Sequence, residues 1–300
     1  MLAFLFPGQG TLRVGMGARL RARKVAAEVF AQADELLPTP ISTLCSSGPT
    51  SALIATENAQ PAVTVCNLAA LAVLAEEGHQ PDLVAGHSVG EISALHAAGV
   101  LDLAGTLRLV STRARLMAEC GGLGGMIAVR GLAVEKVSAL VAEASTAEEP
   151  LVVGLENARD NVVVSGAKAA IERFTEAVGS AGQVRKVEVS DAFHSPLMQP
   201  AAQRWAEAVR AEPMSPPRIP VIPNVTAEPT TDLDVVRDAL IAQLTQRVRW
   251  AETMDRIEGA SCVEVGDSKT LTALLRGTPT KCVSMVDPSV ARKIVRDGAA

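Results

Sequence analysis

The chain has 300 residues, of which 48% are hydrophobic and 20% charged, with a formal net charge of −5. Such a composition can bury a sizeable core and excludes a disordered tail or linker, and the length suits one large domain, or one domain carrying a smaller insertion. Five Phe, two Trp and no Tyr exclude the aromatic platforms that stack single-stranded nucleic acid, and the negative charge argues against any DNA or RNA partner.

Five cysteines (45, 66, 120, 262 and 282), with no C-x-x-C spacing, predict neither a disulfide framework nor a zinc site. They read as small buried hydrophobes in a reducing cytoplasm. Met1 to Phe6 lacks a positive leader segment and meets Pro7-Gly8 too early for a signal peptide, so no export is expected. The apolar run Ala62 to Leu74 contains Asn67 and is too short to span a bilayer, so no membrane association is expected either.

In chain order, Leu2 to Phe6 predicts a first strand, followed by helical patterns over 15–37 and 60–78. A strand at Leu83 to Ala85 precedes helices at 90–98 and 102–120. Between 124 and 190 the pattern changes to a strand at Met126 to Val129, a helix at Val134 to Ala144 and strands at Leu151 to Leu155 and Asn161 to Val164. A helix at Ala167 to Val178 and a strand at Gln183 to Val189 complete that segment. This β-α-β-β-α-β order is the ferredoxin-like unit. After it come a helix at 197–211, the Pro-rich connection Pro213 to Pro223 overlapping a strand at Ile219 to Ile222, a helix over 232–258, and a strand at Cys262 to Val265. A helix at 268–276 and a strand at Cys282 to Val286 close the pattern. The strands outside 124–190 are almost continuously apolar, as in parallel sheets covered on both faces. The expected fold is therefore α/β: a large discontinuous domain of 1–123 and 191–300 with a central parallel sheet, and an inserted small domain of 124–190. A cleft between the two is the natural ligand site.

Gly86-His87-Ser88-Val89-Gly90 is a G-x-S-x-G string set between a predicted strand and helix. That setting makes a sharp turn which exposes a nucleophilic serine, and the Val89 N–H at the helix start can donate to an oxyanion. A plain glycine-rich turn is the alternative. A serine nucleophile needs a base near neutrality, and the candidates are His79, His87, His96 and His194. His194 lies in a loop where the chain re-enters the expected cleft; a loop histidine bonded to backbone is the alternative. On helix 102–120, Arg113 falls on the apolar stripe with Leu109, Leu116 and Cys120, beside Val110 and Met117, whereas Arg108 and Arg115 fall on the other side. An inward guanidinium requires either a structural carboxylate, the commoner solution, or a ligand carboxylate.

Phe6-Pro7-Gly8-Gln9-Gly10, Gln60-Pro61-Ala62, the Gly86 to Glu91 turn, Arg113 with Met117, and Phe193-His194-Ser195-Pro196-Leu197-Met198 together resemble the malonyl-CoA:acyl-carrier-protein transacylases, a group that includes polyketide synthase acyltransferase domains. The resemblance extends through Asn157, Val162 to Gly166, Gln243-Leu244, Val248-Arg249-Trp250 and Glu264-Val265-Gly266. It implies an α/β-hydrolase-like domain with a ferredoxin-like insertion. It further implies Ser88 as acylated nucleophile, His194 as general base and acid, and Gln243 as the residue whose carbonyl orients His194. The oxyanion hole would be the N–H groups of Gln9 and Val89. Arg113 would hold the malonyl carboxylate in a pocket lined by Gln60, Phe193, Met117 and Met126.

Val89 and Ala192-Phe193-His194-Ser195 match the malonyl-selective pattern, with Phe193 occupying the space that a 2-methyl group needs. The implied activity is malonyl transfer from malonyl-CoA to the phosphopantetheine thiol of an acyl carrier protein, in fatty-acid or polyketide synthesis, by a monomer with no bound cofactor. The alternatives are an acyl hydrolase that edits loaded carriers and a non-catalytic docking subunit. Carriers are acidic, and Arg185-Lys186, Arg247 with Arg249, and Arg276 are the candidate basic contacts. The chain departs from the family pattern at Thr11-Leu12, where Ser-Gln is usual, and at Gly266-Asp267-Ser268-Lys269, where Gly-Pro-Gly-Lys is typical.

Overall fold

The computed structural model describes residues 1–10, 12–122, 124–187, 189 and 191–286. Strand β1 (Leu2–Phe6) is followed by helices α1 (Ala18–Arg21), α2 (Lys24–Leu36), α3 (Ile41–Ser47), α4 (Thr50–Ile54) and α5 (Thr56–Glu76). Then come β2 (Leu83–Gly86), α6 (Gly90–Ala97) and α7 (Leu103–Glu119). The next segment runs β3 (Gly125–Arg130), α8 (Val134–Ala144), β4 (Leu151–Ala158), β5 (Asn161–Gly166), α9 (Lys168–Val178) and β6 (Gln183–Lys186). A 3-10 turn at Pro196–Met198 leads into α10 (Gln199–Ala211), β7 (Val221–Ile222), α11 (Leu233–Ala242), α12 (Trp250–Arg256), β8 (Ser261–Glu264), α13 (Thr270–Leu274) and β9 (Lys281–Ser284).

Two sheets organise these elements. The larger has the order β7-β2-β1-β8-β9 and is parallel throughout, with Phe4 opposite Val84 on one side and Val263 on the other. Its strands carry apolar side chains to both faces: Phe4 and Phe6 join one core cluster, Ala3 and Leu5 another. That is why β1 reads as an unbroken hydrophobic run. The smaller sheet has the order β4-β5-β3-β6 with antiparallel pairs, and it encloses its own cluster around Val129, Val162, Val164 and Phe174.

Several predicted boundaries move for physical reasons. The 15–37 helix is two, because Arg23 adopts an extended backbone and reaches across to Glu76 and Glu77 at the end of α5. Helix 232–258 is also two, since residues 243–249 leave the helical path and Val248 bonds to Gly154 and Glu156 on β4. Helices α3 and α4 are additional to the predicted pattern, and α5 starts a turn before Pro61. At 21 residues α5 is long and apolar enough to cross a membrane by length and composition, contrary to the short run expected, but 78% of its apolar window is buried inside the protein. Strand β6 ends at Lys186, and Glu188 of the predicted strand lies outside the described residues, as do positions 123 and 190 at the predicted domain boundaries.

Candidate active site

Ser88 sits between β2 and α6 with a left-handed backbone at φ 53°. The bend has room for no side chain at its two outer glycines: a Cβ on Gly86 would lie 2.1 Å from the Gly90 carbonyl, and one on Gly90 would lie 2.2 Å from the Phe6 oxygen. Gly86 is thus required by the turn closing on itself and Gly90 by the close approach of β1, and Ser88 holds a strained left-handed backbone between them. Asn224, just beyond β7, fastens the bend by accepting from Ser88 N–H at 2.7 Å and donating to the Gly86 carbonyl at 2.5 Å.

His194 lies opposite, also left-handed at φ 56° and almost wholly buried. Its Nε2 is 2.7 Å from Ser88 Oγ and its Nδ1 is 2.8 Å from the Gln243 carbonyl. A carbonyl can only accept, so Nδ1 carries the proton and the bare Nε2 accepts from the serine hydroxyl. Burial and the Arg113 charge hold the imidazole down at about 3, against the raising effect of the Gln243 carbonyl, so the ring is neutral and able to take a proton. Gln243 presents that carbonyl because α11 ends there. Of the other histidines, His87 lines the cavity with Nε2 2.7 Å from Asn157 Oδ1, while His96 bonds the Leu101 carbonyl away from the site.

Arg113 is 1% exposed. Its two terminal nitrogens donate to Gln60 Oε1 at 2.5 Å, to Gln243 Oε1 at 2.9 Å and to Ser88 Oγ at 3.4 Å. Among the described residues every one of these partners is neutral and the Nε has no acceptor, so the structural carboxylate favoured by general frequency is absent. Burial lowers Arg113 to about 10, opposed by Glu91, and it remains a cation at neutral pH. The nearest acid in the network is Glu91, reached through Gln243, whose Nε2 donates to Glu91 Oε2 at 2.9 Å and to the Ser88 carbonyl at 3.0 Å. The Asn224 N–H donates to the same carboxylate oxygen at 2.8 Å. Burial raises Glu91 to about 7, restrained by those two hydrogen bonds and by Arg113.

These groups face a cavity of about 200 Å³ lined by Gln9, Ser88, Arg113, Met117, Met126, Phe193 and His194, with Leu155, Val163, Val187 and Val189 on the small-sheet side. Among the described residues neither the Gln9 nor the Val89 amide N–H has a protein acceptor. The pocket-lining place expected for Gln60 is corrected: it stands behind Arg113, its amide engaged by Arg113 and by Met117 Sδ at 3.3 Å. Glu91 and Asn224 were not singled out from sequence as site residues. Their only signal is a charged and a polar side chain directly after the turn and after β7, where apolar packing would be expected. Asp267, at one of the departures from the family pattern, accepts from Arg13 at 2.6 Å and from the Gly17 N–H at 2.7 Å; Thr11, at the other, lies outside the described residues.

The chain matches the acyl transferase domain family over residues 3–297, which sets its class. It is 37% identical over 279 residues to the malonyl CoA-acyl carrier protein transacylase of Synechocystis sp., covering 92% of this chain and 93% of that one. Its fold is similar to the crystal structure of FabD from Acinetobacter baumannii at a TM-score of 0.94, with 34% identity and 100% and 99% of the two chains covered. It is also similar, at a TM-score of 0.93 and 33% identity over 99% of each chain, to a structure of a type II PKS acyl-carrier protein in complex with its malonyl-transacylase. The chain belongs to the malonyl-CoA:acyl-carrier-protein transacylases.

Proposed function

We propose that this acyltransferase moves malonyl from malonyl-CoA to the phosphopantetheine thiol of an acyl carrier protein through an ester on Ser88, needing no bound cofactor. The observation that carries the reading is Arg113, a buried cation whose hydrogen-bond partners among the described residues are all neutral and whose Nη2 lies 3.4 Å from Ser88 Oγ. A malonyl carboxylate supplies the missing anion, and acyl groups without one leave the charge uncompensated. In the first step the Ser88 hydroxyl gives its proton to His194 Nε2 as Oγ bonds the thioester carbon, and the oxyanion accepts from the Gln9 and Val89 N–H groups. The C–S bond then breaks and the coenzyme A sulfur takes the proton from His194. In the second step the carrier thiol gives its proton to His194, its sulfur attacks the ester, and Ser88 leaves with that proton.

Phe193, packed at the cavity, supports rejection of a 2-methyl branch. We further read residues 1–123 and 191–300 as one α/β-hydrolase-like domain and 124–190 as a ferredoxin-like insertion, whose β4 and β5 supply the apolar wall of the cavity. The protein is read as a cytoplasmic monomer; its free cysteines, four of them buried, support the cytoplasmic part of that reading.

The test is mass spectrometry after incubation with malonyl-CoA. A malonyl adduct on the Ser88 peptide, lost in Ser88→Ala together with transfer to a holo carrier, is the expected result. Turnover that persists in Ser88→Ala overturns the assignment. Release of free malonate outrunning transfer to the carrier points instead to the editing hydrolase.

A further inference from the structure

Asn67 is a buried amide in the middle of the apolar helix α5, outside the groups assigned to the transfer chemistry. Its Nδ2 donates to the Pro7 carbonyl at 3.0 Å and to Ser93 Oγ on α6 at 3.3 Å, while among the described residues its Oδ1 has no partner. A buried oxygen left unsatisfied costs stability, so an apolar side chain would serve packing better, and the amide earns its place through what it donates to. Among the described residues the Pro7 carbonyl has no other donor. Strand β1 ends at Phe6, and Pro7, which lacks an N–H, cannot extend its ladder. The segment beyond lies directly on the nucleophile turn: a Cβ on Gly8 would be 2.5 Å from the His87 carbonyl oxygen. The Gly10 N–H then donates to the Gly8 carbonyl at 2.7 Å, closing a tight turn around Gln9. From the other side the loop after β8 packs on the same pair, since a Cβ on Gly266 would lie 2.4 Å from Asn67 Oδ1 and 3.1 Å from Pro7 Cγ.

Resting on the oxyanion role read for Gln9 above, we infer that Asn67 is a positioning residue for the oxyanion hole, holding the Pro7 carbonyl so that the Gln9 N–H is aimed at the acyl carbonyl on Ser88. Peptide units are planar, so the Pro7 carbonyl fixes the plane it shares with the Gly8 N–H. Only the two backbone dihedrals of Gly8 separate that plane from the one that carries the Gln9 N–H, and glycine is the residue least able to restrain them by itself. With the carbonyl anchored from α5, the donor stands in place before charge develops on the acyl oxygen, which is the condition under which such a donor lowers the barrier. Without the anchor the plane is free to turn, and the loss falls on the transition state, where the oxygen carries charge, more than on the binding of the thioester.

The experiment follows single-turnover malonylation of Ser88 by malonyl-CoA, together with the carbonyl stretch of the resulting ester, isotope-labelled at that carbon and read by infrared difference. It is run on the wild type, Asn67→Ala, Asn67→Ser and Ser93→Ala. In the wild type the stretch is expected below that of the same acyl-enzyme after unfolding, because the hole polarises the bond. Both Asn67 variants are expected to move it up towards the unfolded value. They are also expected to cut the maximal malonylation rate about 10-fold or more, with the half-saturating malonyl-CoA concentration changed less than about 3-fold. Asn67→Ser keeps a hydroxyl in the helix but falls short of Pro7, so it carries the test should Asn67→Ala fail to fold. Ser93→Ala removes only the other bond of the same Nδ2 and is expected to leave the stretch in place. An unchanged stretch in the Asn67 variants overturns the inference, as does a loss confined to half-saturation or an equal shift in Ser93→Ala. A wild-type ester that vibrates as it does when unfolded sinks instead the oxyanion role of Gln9 and Val89, and a wild type that malonyl-CoA does not acylate sinks the transfer reading.

Discussion

On the wall of the cavity built from the parallel sheet and its helices, Arg113, Gln60, Gln243, Asn224 and Glu91 form one buried hydrogen-bonded network behind Ser88. On the facing wall, β3, β4 and β5 present Met126, Leu155 and Val163, which offer area and shape but almost no hydrogen bonding. In the first wall position is over-determined, because Gln243 alone touches Arg113, Glu91, Ser88 and, through its backbone, His194. In the second a side chain can change size and leave the polar geometry standing. Chemistry and fit are thus held by separate parts of the chain, and mutations should divide the same way.

The largest effect after loss of Ser88 is expected from Arg113→Ala. It should lower kcat/KM for malonyl-CoA at least about 100-fold while acetyl-CoA loses far less, because a site built around a charged partner discriminates strongly against its absence. Steady-state comparison of the two donors checks this, and equal losses for both would break the assignment of the polar wall to carboxylate binding. Arg113→Lys should not restore activity, since one ammonium cannot reach Gln60 and Gln243 together.

Glu91→Gln tests the network through pH. A carboxyl raised from 4.5 to about 7 binds its proton more tightly in the folded state, so its contribution is full below 4.5 and declines as pH rises through 7. That decline is of order 3 kcal/mol for a shift of this size. His194, lowered from 6.5 to about 3, acts in the opposite sense: its contribution is fully present above 6.5 and is lost as pH falls towards 3. The effect of the histidine is common to both proteins, so the difference between wild-type and Glu91→Gln urea midpoints at pH 5 and pH 8 isolates the carboxyl. Identical pH dependence in the two would contradict a buried titrating Glu91.

On the apolar wall, Val163→Ala should cost about 1–2 kcal/mol of stability from two lost carbons and change donor selectivity by less than about 10-fold. Chemical unfolding and donor competition measure both, and a collapse of kcat would show that the two walls are not independent. The smallest effect is expected at Asp267. Asp267→Ala removes an ion pair to an Arg13 side chain that is 52% exposed, and should lower stability by about 1 kcal/mol or less, a loss that a thermal melt in high salt should shrink.

The same division governed what the sequence revealed. Strand β1 was legible as an unbroken apolar run and the 124–190 elements by their local periodicity, and Arg113 was legible because a charge on an apolar stripe is a local contradiction. Helices α3 and α4 were not, being seven and five residues long, too short to show a period. The break between α11 and α12 contains neither Gly nor Pro and is imposed from outside, by Val248 bonding across to β4. Glu91 and Asn224 meet across 133 positions of sequence, and no local pattern announces such a contact. Gln243 was found only through family resemblance, and its link to Arg113 only through the geometry.

The end of α11 has one further consequence. Where Ser-His-Asp hydrolases place a carboxylate behind the imidazole, this chain places the Gln243 carbonyl, a dipole in the position of an anion. A ring so backed gains little help in becoming a cation. A pantetheine thiol, with a pKa of ~8.5, asks far less of a base than water at ~15.7 does. The acyl-enzyme is therefore expected to outlast its exposure to solvent and to wait for its acceptor, so that the way one helix finishes sets the lifetime of the intermediate.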